Sequence, residues 1–135
     1  MKATKDEPLM KKLLILATFL SSFIMTSFAH AKWTEVYQMP NGATIYTDYE
    51  RVKKKNGTHI VWYLINYSRA DHWGYKSYLA FKEIDCALSG HRNLQGSKYS
   101  DLWASGTPKR DINKGPMSWR YAAPNSPFEN IIKNI

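Results

Sequence analysis

The chain has 135 residues, of which 19 are Lys or Arg and 11 Asp or Glu, a formal net charge of +8, with a single cysteine, five tryptophans and nine tyrosines. One cysteine excludes an intrachain disulfide framework and a cysteine-based zinc site. No Gly-rich phosphate loop and no G-x-S-x-G occurs, so neither nucleotide handling nor α/β-hydrolase chemistry is signalled.

Residues 1–31 have the order of an export signal. Lys11 and Lys12 precede the apolar run Leu13 to Leu20, which continues through Phe23, Ile24 and Met25 and closes on Ala29-His30-Ala31, an A-x-A cleavage pattern. Met10 opens a conventional signal by itself, so Met1 to Leu9 reads as an upstream start or a tolerated extension. Ser21, Ser22, Thr26 and Ser27 dilute the run, against the roughly 20 apolar residues that a spanning helix needs. The expected organisation is a signal peptide, 1–31, and one exported domain, 32–135, without a transmembrane segment, in the periplasm or on the outer cell surface. Removing the signal leaves 15 basic and 9 acidic residues, a balance of +6. That surplus favours anionic partners, and export makes nucleic acid the least suitable of them.

Trp33 to Met39 and Ala43 to Tyr49 read as strands joined by the turn Pro40-Asn41-Gly42. Lys53-Lys54-Lys55 leads into Asn56-Gly57, the dipeptide that favours a type I′ hairpin, and then into Thr58 to Ile65. In that run Ile60, Trp62 and Leu64 share one face and Val61, Tyr63 and Ile65 the other, as in a central strand covered on both sides. Asn66 to Tyr75 is a polar, aromatic loop. Lys76 to Leu88 is strand-like, with apolar parity changing near Lys82-Glu83, which predicts a bulge or break. Leu94 to Ala104 supplies a further short strand, Ser105 to Met117 an exposed loop, and Trp119 to Ala122 a last strand. Ser126-Pro127-Phe128-Glu129 combines a capping serine, proline at the first helical position and a glutamate three residues after the cap. Phe128, Ile131, Ile132 and Ile135 then recur at helical spacing. The expected class is α+β, mainly β: an antiparallel, meander-like sheet of about six strands with a short C-terminal helix.

The chemistry-bearing residues are few. Arg51 with Lys53, Lys54 and Lys55 forms a basic knob at the hairpin, either a contact point for an anionic partner or a solubilising edge. His72, Trp73 and Tyr75 in the aromatic loop could meet haem or another flat ligand, and are equally ordinary surface and packing residues. Cys86 is either a buried structural thiol, which its parity with Ile84 favours, or the source of a disulfide-linked homodimer. No histidine pair has metal-ligand spacing, and the acidic residues are too scattered to form a recognisable catalytic pair.

The order of features resembles the bacterial surface-adhesin protein E family. Trp33 is followed by a strand ending in Tyr46-Thr47-Asp48, an Asn-Gly hairpin with Val61-Trp62, and a strand from Ser77 into Asp85-Cys86. Arg92 and Trp119 come next, then Pro124-Asn125-Ser126, so that the likeness spans nearly all of 33–135. The resemblance implies a small antiparallel sheet with a C-terminal helix and a non-enzymatic binding role. For its best-known member it implies an outer-surface protein that binds extracellular-matrix proteins such as vitronectin and laminin, and haem. A periplasmic module for a small ligand, haem or a glycan, is the alternative. The family pattern ties the final helix to the Asp-Cys strand through a second cysteine. This sequence ends at Asn134-Ile135 without it, so Phe128, Ile131 and Ile132 are expected to hold the helix by packing alone.

Overall fold

A computed structural model describes residues 31–135, the stretch 110–114 by its backbone alone. The export signal assigned to 1–31 lies outside the described residues except for Ala31.

Among the described residues eight strands and one α-helix are formed. They are β1 (Thr34–Gln38), β2 (Thr44–Thr47), β3 (Lys53–Lys55), β4 (Thr58–Asn66), β5 (Ser77–Asp85), β6 (Gly90–Tyr99), β7 (Pro108–Lys114), β8 (Arg120–Tyr121) and α1 (Pro127–Ile132). The sheet is antiparallel with the order β1-β2-β4-β5-β6-β7, while β3 pairs with β4 and β8 with β6. The main path is thus the expected six-stranded meander, to which two short strands are added.

Local chemistry explains most boundaries. In the β1–β2 turn the Gly42 amide donates to Met39 O at 2.9 Å, and Gly42 takes φ 83°. At the β3–β4 tip both Asn56 (φ 48°) and Gly57 (φ 82°) are left-handed, as a type I′ turn requires. Between β2 and β3 the chain makes one 3-10 turn, Tyr49–Arg51. The buried Asp48 carboxylate caps it, accepting from Glu50 N at 3.1 Å and pairing with Arg51 Nε at 3.2 Å.

Two expectations need correction. The Ser105 to Met117 stretch is not all loop, because β7 occupies 108–114. Its proline stands at the first position of a strand, where a missing N–H is tolerated, and Gly115 (φ 94°) lies just past the end. The Gly and Pro residues bracket the strand instead of forbidding it. The irregularity expected in β5 belongs to its neighbour: Phe81 faces Gln95 and Lys82 faces Asn93, so Leu94 of β6 is the extra residue. β5 itself keeps its alternation. Its apolar residues change face because both faces of the sheet are partly covered, by α1 on one side and by the β6–β7 loop on the other.

The core lies under α1, where Ile45, Val61, Tyr63, Ile84 and Ile131 pack together. Ser126 caps the helix, its hydroxyl accepting from Glu129 N at 3.3 Å. Glu129 reaches back to Asn125 N at 2.7 Å, one residue earlier than a regular capping box. Packing does not hold the helix alone: Asn130 Nδ2 also donates to Val36 O of β1 at 3.3 Å. On the opposite face Trp103 lies against Tyr46 with ring centroids 4.7 Å apart. Its loop is pinned from below, Trp103 N donating to Asn66 Oδ1 at 2.9 Å and Ala104 N to Ser77 Oγ at 3.0 Å. A Cβ on Gly96 of β6 would stand 2.1 Å from the Tyr78 hydroxyl, so a side chain there would have to displace the tyrosine ring.

Candidate functional site

The basic knob is a sheet edge. β3 continues the line of β2 along β4, with Lys53 opposite Ile60, Lys54 opposite His59 and Lys55 opposite Thr58. Strand alternation sends Lys53 and Lys55 to one face and Lys54 to the other, and all three are exposed. Arg51 does not join them as a free cation, because its guanidinium is engaged by Asp48. Glu83 stands near this edge, accepting from Thr58 Oγ1 at 2.8 Å and paired with Arg92 Nη2 at 2.7 Å. Burial pushes its carboxyl up, but the hydrogen bonds from Arg92 and Thr58, with the charges of Arg92 and Lys55, outweigh it and hold it below its ordinary value.

The aromatic loop is organised by Asp71. One carboxylate oxygen accepts from Trp73 N (3.0 Å) and Tyr75 N (2.9 Å), and the other from Lys98 Nζ at 2.6 Å. Asp71 stays below its usual range because the Lys98 and backbone bonds outweigh the opposing effect of burial. His72 and Trp73 stack with centroids 3.4 Å apart, and Trp73 is 63 % exposed. Lys98 Nζ sits 4.8 Å from the centre of the Trp73 ring. Tyr75 has a different position: it is buried, with Lys98 at 5.6 Å and Lys109 at 5.0 Å from its ring centre. Of the three aromatic-loop candidates, His72 and Trp73 are presented to solvent and Tyr75 supports them.

Cys86 is half-buried beside the core, and its Sγ lies 3.5 Å from Nδ1 of His59. Burial and the neighbouring Asp85 charge push the thiol up. A raised thiol is a poor nucleophile despite the adjacent imidazole, so the geometry favours a structural role.

A further exposed apolar patch escaped the sequence reading. Tyr121 of β8, 81 % exposed, Trp119 just before it and Leu88 between β5 and β6 surround a hollow of about 210 Å³ that Asp85 and Gly90 complete. Arg92 lies over Trp119 at 4.5 Å, joining this patch to the Glu83 ion pair. The only signal was the run Trp119-Arg120-Tyr121, which a core strand would explain equally well. Among the described residues no helix is long and apolar enough to cross a membrane.

A family model described as surface-adhesin protein E matches residues 33–135. No curated protein matches the chain. Among solved structures, crystal form II of Haemophilus influenzae protein E is similar with a TM-score of 0.63 at 13 % identity, covering 78 % of this chain and 87 % of that one. A second structure of Haemophilus influenzae protein E gives 0.62 at 13 % identity, over 78 % and 84 %. Protein E from non-typeable Haemophilus influenzae gives 0.57 at 14 % identity, over 81 % and 77 %. At such identities the likeness shows a shared fold.

Proposed function

The chain belongs to the surface-adhesin protein E family, and from that premise we propose that it is an exported, non-enzymatic bacterial adhesin that binds host extracellular-matrix proteins such as vitronectin or laminin. The observation that carries the choice of surface is the exposed β3 edge. Three exposed lysines on β3, next to the Asn56-Gly57 turn, present charge on both faces of the β3–β4 ribbon. An acidic segment of a large partner can meet such an edge without displacing an ion pair of the three lysines with any described residue. Reversing the charges (Lys53→Glu, Lys54→Glu, Lys55→Glu) should weaken binding to immobilised vitronectin and laminin and flatten its salt dependence. Unchanged affinity for both would remove this surface from consideration. Protease shaving of intact cells producing the tagged protein tests exposure, because cleavage only after outer-membrane permeabilisation would confine the domain to the periplasm.

A second reading rests on the His72-Trp73 stack, a flat, solvent-facing aromatic pair with Lys98 beside it. A periplasmic module would use it to bind haem or a glycan. A haem titration followed by absorbance, and a glycan titration followed by tryptophan fluorescence, would discard this reading if neither signal saturates.

A further inference from the structure

Lys82 is unlike every other cation described in the molecule. It stands in the middle of β5, opposite Val61 on one neighbour and Asn93 on the other. Its side chain runs under α1 and is only 6 % exposed. The ammonium lies 4.6 Å from the ring centres of both Tyr63 and Phe128 and donates to Asn93 Oδ1. Asn93 is itself oriented, its Nδ2 donating to the Tyr78 hydroxyl at 3.2 Å. Among the described residues no carboxylate pairs with Lys82. Ring faces and one amide oxygen accommodate a buried ammonium but do not neutralise it.

The neighbourhood adds to the same sign. A pocket of about 250 Å³ opens beside the Lys82 head, with Arg120, Arg92, His91 and Ser118 on its walls and Phe128 and Met117 as apolar surface. Arg92 is committed to Glu83, whereas no carboxylate among the described residues pairs with Arg120. His91 is 8 % exposed and stacked on Phe128 with centroids 3.6 Å apart. Burial, with the charges of Lys82 and Arg120, keeps its imidazole neutral down to about 4. Burial first, and Arg120 second, depress the Lys82 ammonium to about 8. Positive charge is thus gathered around the buried Lys82 head, with no carboxylate paired to Lys82 or Arg120 among the described residues.

We propose that this pocket binds a small oxyanion, a phosphate or sulfate group, held by Lys82 and Arg120 with the Ser118 hydroxyl as a further donor. Asn93 is the positioning residue that aims Lys82. The recess is smaller than the usual pocket for a drug-sized ligand, which suits a free anion or an anionic monosaccharide. This assignment is independent of the matrix-protein reading, since the pocket and the lysine hairpin are separate surfaces.

The test is a titration of the purified ¹⁵N-labelled protein with inorganic phosphate, inorganic sulfate, glucose 6-phosphate and glucosamine 6-sulfate at low salt. Saturable shifts at Asn93, Ser118, Arg120 and Phe128 are expected. Equal binding of the bare ions would identify the free anion as ligand, and tighter binding of an ester its sugar-borne form. Lys82→Met should weaken binding by about tenfold or more, the range of one charge-assisted hydrogen bond. It should also raise the melting temperature without ligand. Arg120→Gln, at an exposed strand end, provides a variant whose folding is not at stake and should weaken binding as well. The Lys53/Lys54/Lys55 charge reversal should leave it unchanged. The proposal is overturned if no probe saturates at millimolar concentration, if Lys82→Met and Arg120→Gln both bind like wild type, or if the shifts follow the hairpin lysines.

Discussion

The β3 edge and the recess under α1 hold lysines in opposite circumstances. Lys53, Lys54 and Lys55 keep their hydration and sit where an unpaired strand would otherwise invite association. Lys82 has given up water for two aromatic faces and an amide oxygen. The first arrangement costs the fold almost nothing and is free to act on partners at long range. The second costs stability unless something neutralises it. Charge density in the sequence therefore marks the cheaper site, whereas the site with stored electrostatic free energy is a single lysine between Phe81 and Glu83.

Perturbations that separate these regions should differ greatly in size. Ile131→Ala removes the fully buried residue by which α1 packs into the core beside the recess. It should destabilise the protein by about 2–5 kcal/mol, and denaturant unfolding showing less than ~1 kcal/mol would mean that the helix is only loosely attached.

Lys82→Met should act in the opposite direction. The folded lysine has its pKa at about 8 against an ordinary 10.5, so between those values the unfolded chain holds a proton that the folded one has released. Wild-type stability should consequently rise from pH 8 towards 10, by an amount on the order of 2–3 kcal/mol. Above pH 10 Tyr63, pushed upward by burial, takes stability back. The methionine variant should be more stable at pH 7, by ~2 kcal/mol, and flat from 8 to 10. A variant less stable than wild type at pH 7 would show that the cation is already well solvated by its rings.

His91 gives the matching acid arm. Its folded pKa of about 4 lies below the ordinary 6.5, so stability present above 6.5 is lost as pH falls towards 4, by an amount on the order of 2–3 kcal/mol. In His91→Gln the slope between pH 6.5 and 4.5 should shrink, leaving the carboxylates Asp71 and Glu83 to act lower down. Persistence of the full slope would move its origin elsewhere. Ser126→Ala, which removes the cap of α1, should cost about 1 kcal/mol in chemical denaturation. The triple hairpin reversal is the smallest change for the fold, within about 0.5 kcal/mol, although it is the one expected to alter partner binding. Stability loss much beyond that would assign the edge lysines a structural role.

Much of the architecture was legible because it rests on local rules. Asn56-Gly57 can hardly be anything but a tight hairpin, and Ser126-Pro127 with Glu129 announces a helix start. β7 was hidden because its pairing energy comes from β6, a neighbour in space, while its own sequence carries only breaker residues at the ends. The shift in apolar parity was a true signal attached to the wrong strand: the extra residue is Leu94, and nothing in a linear reading says which of two paired strands carries it. The exposed candidates were readable as composition, but their relations were not. The capture of Arg51 by Asp48, the burial of Tyr75 beneath two lysines and the meeting of Cys86 with His59 all depend on contacts between distant segments. Lys82 was invisible for the same reason, since a lysine in an alternating strand is expected to face water.

The clasp on the β6–β7 loop bears on how this domain could be engineered. Trp103 and Ala104 both take left-handed backbone angles, φ 62° and 53°, and their amides are held by Asn66 and Ser77 at the ends of β4 and β5. An epitope or dye-acceptor peptide spliced between them must forfeit both bonds and uncover Tyr46, so the segment is a poor insertion point despite its exposure. The Asn56-Gly57 tip has no such attachment, and a passenger placed there would ride on the hairpin without loosening the sheet.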